Sequence, residues 1–344
     1  MNRRVALQSL IAVPAFARPC RLPMLPPYPV PVAGQFVGVH RGRIIVAGGT
    51  IWTKPKWEGG EKRWTSAIYT LGPGETSWHK SGEQPEPLAY GGAVSTPAGL
   101  VCIGGQSPTT ASAAVGLLYW DGSQVRQRPM ADLPNPLMLL GAAMSGKSIL
   151  VVGGQAGPAS TEASGKVWQL PPNGRKWESA PPLPGPGRIL PVVAGGRDGI
   201  FAASGASLSA DSSGKPVRTY LRDAFRFRPE TEWTALPELP SPVLAAPSYC
   251  DSAGNFVVLG GDDGVHAGEI PDPGPRHPGF SRTILRFDQG RWHPAGTLPE
   301  GLVTTGAAIW NGLAVVPSGE NLPGTRTTRV LSNPIRARIA PCAL

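Results

Sequence analysis

Leu150-Val151-Val152-Gly153-Gly154 is an apolar run that stops on two glycines. The same shape occurs six times. Ile44-Ile45-Val46-Ala47-Gly48-Gly49 and Val101-Cys102-Ile103-Gly104-Gly105 precede it. Phe201-Ala202-Ala203-Ser204-Gly205, Val257-Val258-Leu259-Gly260-Gly261 and Val315-Val316-Pro317-Ser318-Gly319 follow. The pairs begin at 48, 104, 153, 204, 260 and 318, so the steps are 56, 49, 51, 56 and 58 residues. Short apolar runs bounded by turn residues read as buried strands, and a recurrence near fifty residues marks a repeat architecture.

The second half of each unit repeats as well. An aromatic strand follows the Gly pair, as in Ile68-Tyr69, Leu118-Tyr119, Val167-Trp168, Ala224-Phe225 and Arg286-Phe287. Trp78, Trp177, Trp233 and Trp292 come next, and the second unit has no such Trp. Units close on Pro-rich turns such as Leu133-Pro134, Leu183-Pro184, Leu239-Pro240 and Leu298-Pro299. This pattern resembles the kelch repeat, whose unit is a four-stranded antiparallel blade of a β-propeller. The expected fold is an all-β, six-bladed kelch-type β-propeller in one domain over residues 22–344. The Gly-pair strands are expected innermost, where only small side chains fit. Each Trp is expected to fill space between blades. Only about 25 residues follow Ser318-Gly319. The N-terminal strand, with Leu22-Pro23-Met24-Leu25-Pro26-Pro27 as its tail, is therefore expected to complete the C-terminal blade and close the ring.

Composition agrees with a turn-rich folded chain. Gly (45) and Pro (40) make up about a quarter of the 344 residues, roughly twice average usage. With 41% hydrophobic residues and 10 Trp the chain can bury a core, which argues against disorder. No apolar stretch is long enough for a membrane-spanning helix. The formal charge is +9, but the basic residues are scattered pairs such as Arg126/Arg128 rather than runs. That excludes a nucleic-acid surface and suits attraction of a small anion. The sequence carries no signal of oligomeric state.

Met1 to Ala17 starts with Arg3 and Arg4, continues apolar and ends Ala15-Phe16-Ala17. It reads as a cleavable export signal, placing the protein in the periplasm or outside the cell; the alternative is an untranslocated extension in the cytoplasm. Cys102 and Cys250 read as small core residues. Cys20 and Cys342 flank the chain ends and pair if the termini meet in an oxidising compartment.

Four segments break the repeat with polar residues. They are Trp57-Glu58-Gly59-Gly60, Ala89-Tyr90-Gly91-Gly92, the stretch Gly260-Gly261-Asp262-Asp263-Gly264 with its loop to His277-Pro278-Gly279-Phe280-Ser281-Arg282, and Ser318-Gly319-Glu320-Asn321-Leu322-Pro323-Gly324-Thr325-Arg326-Thr327. In this order they resemble the cyclically permuted mutarotase family over nearly the whole chain after residue 22. The last segment is the most specific, since a kelch consensus does not demand Glu and Arg six apart.

The resemblance implies interconversion of the anomers of sialic acid, a small anionic sugar, by acid–base catalysis and with no metal or organic cofactor. It implies Glu320 as the base and Arg326 as a partner able to hold the substrate carboxylate. A structural ion pair closing the last loop is the competing reading of Glu320 and Arg326. Glu58 is either a second polar group at the channel mouth or a brace for its insertion. Asp262 either binds sugar hydroxyls or, with Asp263, forms a turn. Arg188 either adds positive charge near the axis or is a surface arginine. Tyr90 lines the pocket or packs between blades. The five His include no His-x-x-x-His pair, and nothing supplies a copper site or a hydrolase triad. The rival functions are a non-catalytic propeller that binds carbohydrate or protein, and a mutarotase for another sugar.

Overall fold

A computed structural model describes residues 24–172, 174–196, 199–228, 232–267 and 274–335. The expected signal over residues 1–17 and the Cys20–Cys342 pairing lie outside the described residues. The described chain is a six-bladed β-propeller. Blade one is the antiparallel meander Phe36–His40, Arg43–Ala47, Ala67–Leu71 and His79–Glu83. Blades two to five repeat it, with first strands Gly92–Thr96, Gly141–Ser145, Val192–Gly196 and Ser248–Cys250. Blade six has three described strands, Ala308–Trp310, Leu313–Leu322 and Thr325–Pro334. Among the described residues no helix is long and apolar enough to cross a membrane.

The Gly-pair runs are the second strand of each blade, not the innermost. This corrects the sequence expectation. The innermost strands carry still smaller side chains, as in Gly141-Ala142-Ala143-Met144-Ser145. The second strands are covered on both faces, and Gly99–Ile103 is buried end to end. That burial is what makes them continuous apolar runs.

The Gly pair serves contact between blades. Gly48 and Gly49 have φ of +66° and +101°, and a Cβ on Gly48 would lie 2.4 Å from the Leu88 carbonyl of the next blade. Only glycine tolerates both demands. The Gly49 N–H instead donates to that carbonyl at 2.9 Å, and Gly154 N–H donates likewise to Arg188 O at 2.8 Å. In blades four and six a serine replaces the first glycine. The Ser204 and Ser318 hydroxyls accept the amide protons of Val243 and Val32, each at 2.8 Å.

The tryptophans mark the other end of each interface. Trp177, Trp233 and Trp292 donate their indole N–H to Ala131 O, Pro181 O and Pro237 O at 2.8, 2.9 and 2.9 Å. Each acceptor lies in the tail of the preceding blade. Trp78 of blade one donates in the same way to Pro26 O at 3.0 Å. Pro26 is thus the tail of blade six supplied by the N-terminal segment, and Tyr28 N–H bonds Thr328 O of that blade at 2.7 Å. Tyr28, Ile44, Val46 and Trp78 pack with Trp310, Leu313 and Val315 to close the ring on an apolar interface. In blade two, which lacks the Trp, buried Val125 fills the place, beside half-buried Trp120. The Arg43 guanidinium stacks 4.4 Å over the Trp120 ring there.

Candidate active site

Six residues stand immediately before the innermost strands: Gly34, Tyr90, Leu139, Leu190, Ala245 and Thr304. Their φ angles are +73°, +61°, +56°, +50°, +57° and +52°. Each N–H donates to the carbonyl of its counterpart in the preceding blade. Running from Gly34→Thr304 through Tyr90→Gly34, Leu139→Tyr90, Leu190→Leu139, Ala245→Leu190 and Thr304→Ala245, the distances are 2.5, 2.7, 2.7, 2.7, 3.3 and 2.9 Å. The six bonds form a closed hoop around the axis. A non-glycine residue in left-handed backbone costs about 1–3 kcal/mol, and satisfying a buried amide offsets that strain.

The hoop divides the axis in two. Beyond it, the innermost strands enclose a cavity of about 400 Å³ lined by Val94, Ser95, Met144, Gly195, Cys250 and Ile309 among others. Its walls are small and mostly apolar. Burial pushes the Cys250 thiol there up to about 12. Three of the four polar segments singled out in the sequence lie on the other side, where second strands lead into third strands, whereas Ala89-Tyr90-Gly91-Gly92 runs through the hoop into an innermost strand. The residue after each Gly pair sits on that rim: Thr50, Gln106, Gln155, Ala206, Asp262 and Glu320. Each bridges to the residue just before its blade's hoop member, as in Ala33↔Thr50 and Val303↔Glu320. Five of the six carry polar side chains.

Glu320 has the most developed surroundings. Its Oε1 accepts the Gly324 amide proton at 3.0 Å and meets Arg326 Nη1 at 3.1 Å. Its Oε2 faces the Thr304 hydroxyl at 3.3 Å. The side chain remains 18% exposed, whereas Arg326 is 3% exposed. Arg326 Nη1 also donates to Thr325 O at 2.8 Å. The guanidinium therefore orients the Glu320 carboxylate from beneath, and solvent reaches Glu320 rather than Arg326. That placement does not suit Arg326 to gripping a solute, as the sequence reading had it.

Loops of blades five, six and one gather around this pair. Lys56 N–H bonds Gly324 O at 3.1 Å. A Cβ on Gly324 would strike Lys56, and one on Gly274 would press on the Trp57 ring at 3.3 Å. Glu58 belongs to this cluster through its backbone, but its carboxylate is exposed and has no ion pair among the described residues.

Asp262 accepts the Tyr220 phenol proton at 2.8 Å and the Gly264 amide proton at 3.0 Å. It holds the turn at Gly264 and is partly exposed on the rim. Burial, reinforced by Asp262, raises the Tyr220 phenol and keeps it a proton donor. Tyr90 lies across Gly34, where a Cβ would come within 2.8 Å of its ring. Its hydroxyl lies 2.8 Å from Thr50 Oγ1.

Arg188 departs from both sequence readings. It is fully buried and grips Asp223 through two bonds of 2.5 and 2.8 Å, with a third to Ser204 O at 3.1 Å. A guanidinium with no exposed surface and a carboxylate already on its fork has a structural role. Sequence reading missed Thr304, Tyr220 and Lys62. None belongs to a motif, and only the hoop and the rim bring them into view. Among the described residues no group of three His, Cys, Asp or Glu is placed to hold a metal ion.

The fold and rim together define a six-bladed propeller that presents an oriented carboxylate–guanidinium pair at one end of its axis. No family model matches the chain. N-acetylneuraminate epimerase of Yersinia pestis is 31% identical over 105 residues, 27% of this chain and 26% of that protein. N-acetylneuraminate epimerase of Brucella suis is 33% identical over 102 residues, 26% of each chain. The matched part thus spans about a quarter of the length of these curated relatives. The solved structure of YjhT superposes with a TM-score of 0.67 over 90% of this chain and 99% of that one, at 15% identity. That likeness is one of fold.

Proposed function

We propose that the protein is a mutarotase that interconverts the anomers of N-acetylneuraminate. The observation that carries this reading is the Glu320 carboxylate, held by the Gly324 amide and the Arg326 guanidinium and still open to solvent at the end of the axis. A fixed, partly exposed carboxylate is suited to proton transfer. The partial similarity to proteins named N-acetylneuraminate epimerase supports the choice of sugar. In the same reading the repeat order is cyclically permuted, which puts the Ser318–Thr327 signature at the end of the chain, and residues 1–17 direct the protein to the periplasm.

The chemistry asks little of the site. Glu320 takes the proton of the anomeric hydroxyl. The bond from the anomeric carbon to the ring oxygen breaks, its electron pair goes to that oxygen, and the oxygen takes a proton from water. The open-chain keto sugar rotates and its hydroxyl attacks the other face of the carbonyl, returning that proton to water, while the proton on Glu320 goes to the new anomeric oxygen. The uncatalysed reaction already runs, so positioning and one competent base suffice.

The test follows freshly released α-anomer by NMR with and without the protein. Faster equilibration is expected. A rate equal to that of buffer rejects the reading for this sugar.

A further inference from the structure

We propose that Lys62, seated on Tyr90, forms a carboxylate-binding subsite that selects acidic over neutral sugars; the choice of sugar rests on the function proposed above.

Lys62 stands on the hairpin Thr50–Trp52/Lys62–Trp64, opposite Trp52. Its ammonium lies 4.5 Å from the Tyr90 ring centroid and 5.1 Å from that of Trp64. The Trp64 indole is itself anchored, donating to Gln106 O at 3.0 Å. Two fixed rings thus hold a flexible side chain in one place. Cation–π contacts of this kind attract the ammonium without neutralising it. Lys62 has no carboxylate partner among the described residues.

Its neighbours on the rim differ. Arg326 is paired with Glu320, and Arg63 with Glu61. Lys62 leaves its N–H donors to a solute.

The place is equally specific. Thr304, Gly34 and Tyr90 are consecutive members of the hoop. Glu320 faces Thr304, and Lys62 sits on Tyr90. The base and the free cation therefore flank Gly34, the hoop member without a side chain. Thr50 Oγ1 adds a hydroxyl pair with Tyr90 at 2.8 Å. When Thr50 donates to Tyr90, the phenol proton is left to a second acceptor. An ammonium beside a phenol is a donor set for a carboxylate. In sialic acid the carboxylate is on the anomeric carbon, the atom whose hydroxyl Glu320 must reach.

The experiment measures dissociation constants by NMR titration of the full chain with N-acetylneuraminate and with its uncharged methyl ester. The wild type is expected to bind the acid about tenfold more tightly than the ester, the effect of one charge-assisted hydrogen bond. Lys62→Gln should remove that preference and leave ester binding unchanged, and Lys62→Arg should keep most of it. Three results overturn the proposal: no preference for the acid in the wild type, a preference that survives Lys62→Gln, or equal weakening of acid and ester. Acid-selective binding that Lys62→Gln abolishes, with no acceleration of mutarotation, keeps the subsite and rejects the catalytic reading.

Discussion

The Ser318 hydroxyl accepts the Val32 amide proton at 2.8 Å and so joins residues 286 positions apart in the chain. Ser318 is fully buried, with the Val32 and Thr327 carbonyls at 2.8 and 2.6 Å from the same oxygen. Blades bury their apolar faces only against neighbours, so the closing interface holds the whole ring. Ser318→Ala leaves the Val32 amide without its acceptor in a dry site. The expected loss is about 1–3 kcal/mol in urea unfolding. Exposed Ser123→Ala should stay within about 0.5 kcal/mol of wild type. Equal effects of the two substitutions would show that the Ser318 bond does not hold the ring.

Arg188 and Asp223 should respond unequally. Asp223→Ala strands a guanidinium that has no exposed surface, whereas Arg188→Met leaves a carboxylate that is 26% exposed and can recover water. Breaking a buried pair costs about 3–5 kcal/mol, and the stranded arginine should reach that range while Arg188→Met falls below it. Binding of N-acetylneuraminate by the folded Arg188→Met protein should match wild type. A selective loss of binding with intact stability would restore Arg188 to the site.

His40 ties blade one to blade two, its Nδ1 accepting the Trp120 amide proton at 2.9 Å. Burial, and then the nearby Arg41 charge, hold the imidazole below its ordinary value of 6.5; the Pro97 carbonyl opposes them without reversing the shift. The unfolded chain therefore binds a proton at a higher pH than the folded one does. The His40 contribution is complete above pH 6.5 and is lost as pH falls below it. Urea midpoints should drop between pH 7.5 and 5.5 in the wild type and drop less in His40→Gln. Identical slopes would place the pH response elsewhere.

Much of this architecture is legible in sequence because its causes are local. At three blade contacts a neighbouring carbonyl stands where a Cβ would go, so the requirement is written as a residue type at Gly48, Gly104 and Gly153. The tryptophans and Pro-rich tails are visible for the same reason. The order of strands within a blade is not. Small residues in sequence suggest the axis, yet the Gly pairs mark contact between second strands and neighbouring blades. The hoop leaves no trace at all, since Tyr90, Leu139, Leu190, Ala245 and Thr304 share a backbone conformation and no side-chain property. Glu320 and Arg326 stand out in the sequence through the family resemblance of their segment. Lys62 could not, because in Gly-Gly-Glu-Lys-Arg-Trp it reads as part of a solvated loop. Its place on Tyr90 depends on a neighbouring blade.

Glu320→Gln tests the base directly. The amide keeps the shape of the carboxylate, and its single oxygen can still accept from Gly324 N–H while its NH2 faces the Thr304 hydroxyl, but it cannot take a proton at neutral pH. General base catalysis contributes about 10²–10⁴ in rate, so the protein-dependent part of mutarotation should fall at least about a hundredfold. The substitution also removes the charge opposite Arg326, a side chain only 3% exposed, and some loss of stability should accompany it. Glu320→Asp separates the two effects. It restores the charge but shortens the reach by one methylene, so thermal stability should recover more than the rate does. Both are measured on one preparation, the rate by NMR of the α-anomer and stability by circular dichroism on heating. A folded Glu320→Gln protein that equilibrates the anomers as fast as wild type would assign the base to another residue, and the Glu320–Arg326 pair would then be a brace for the last loop.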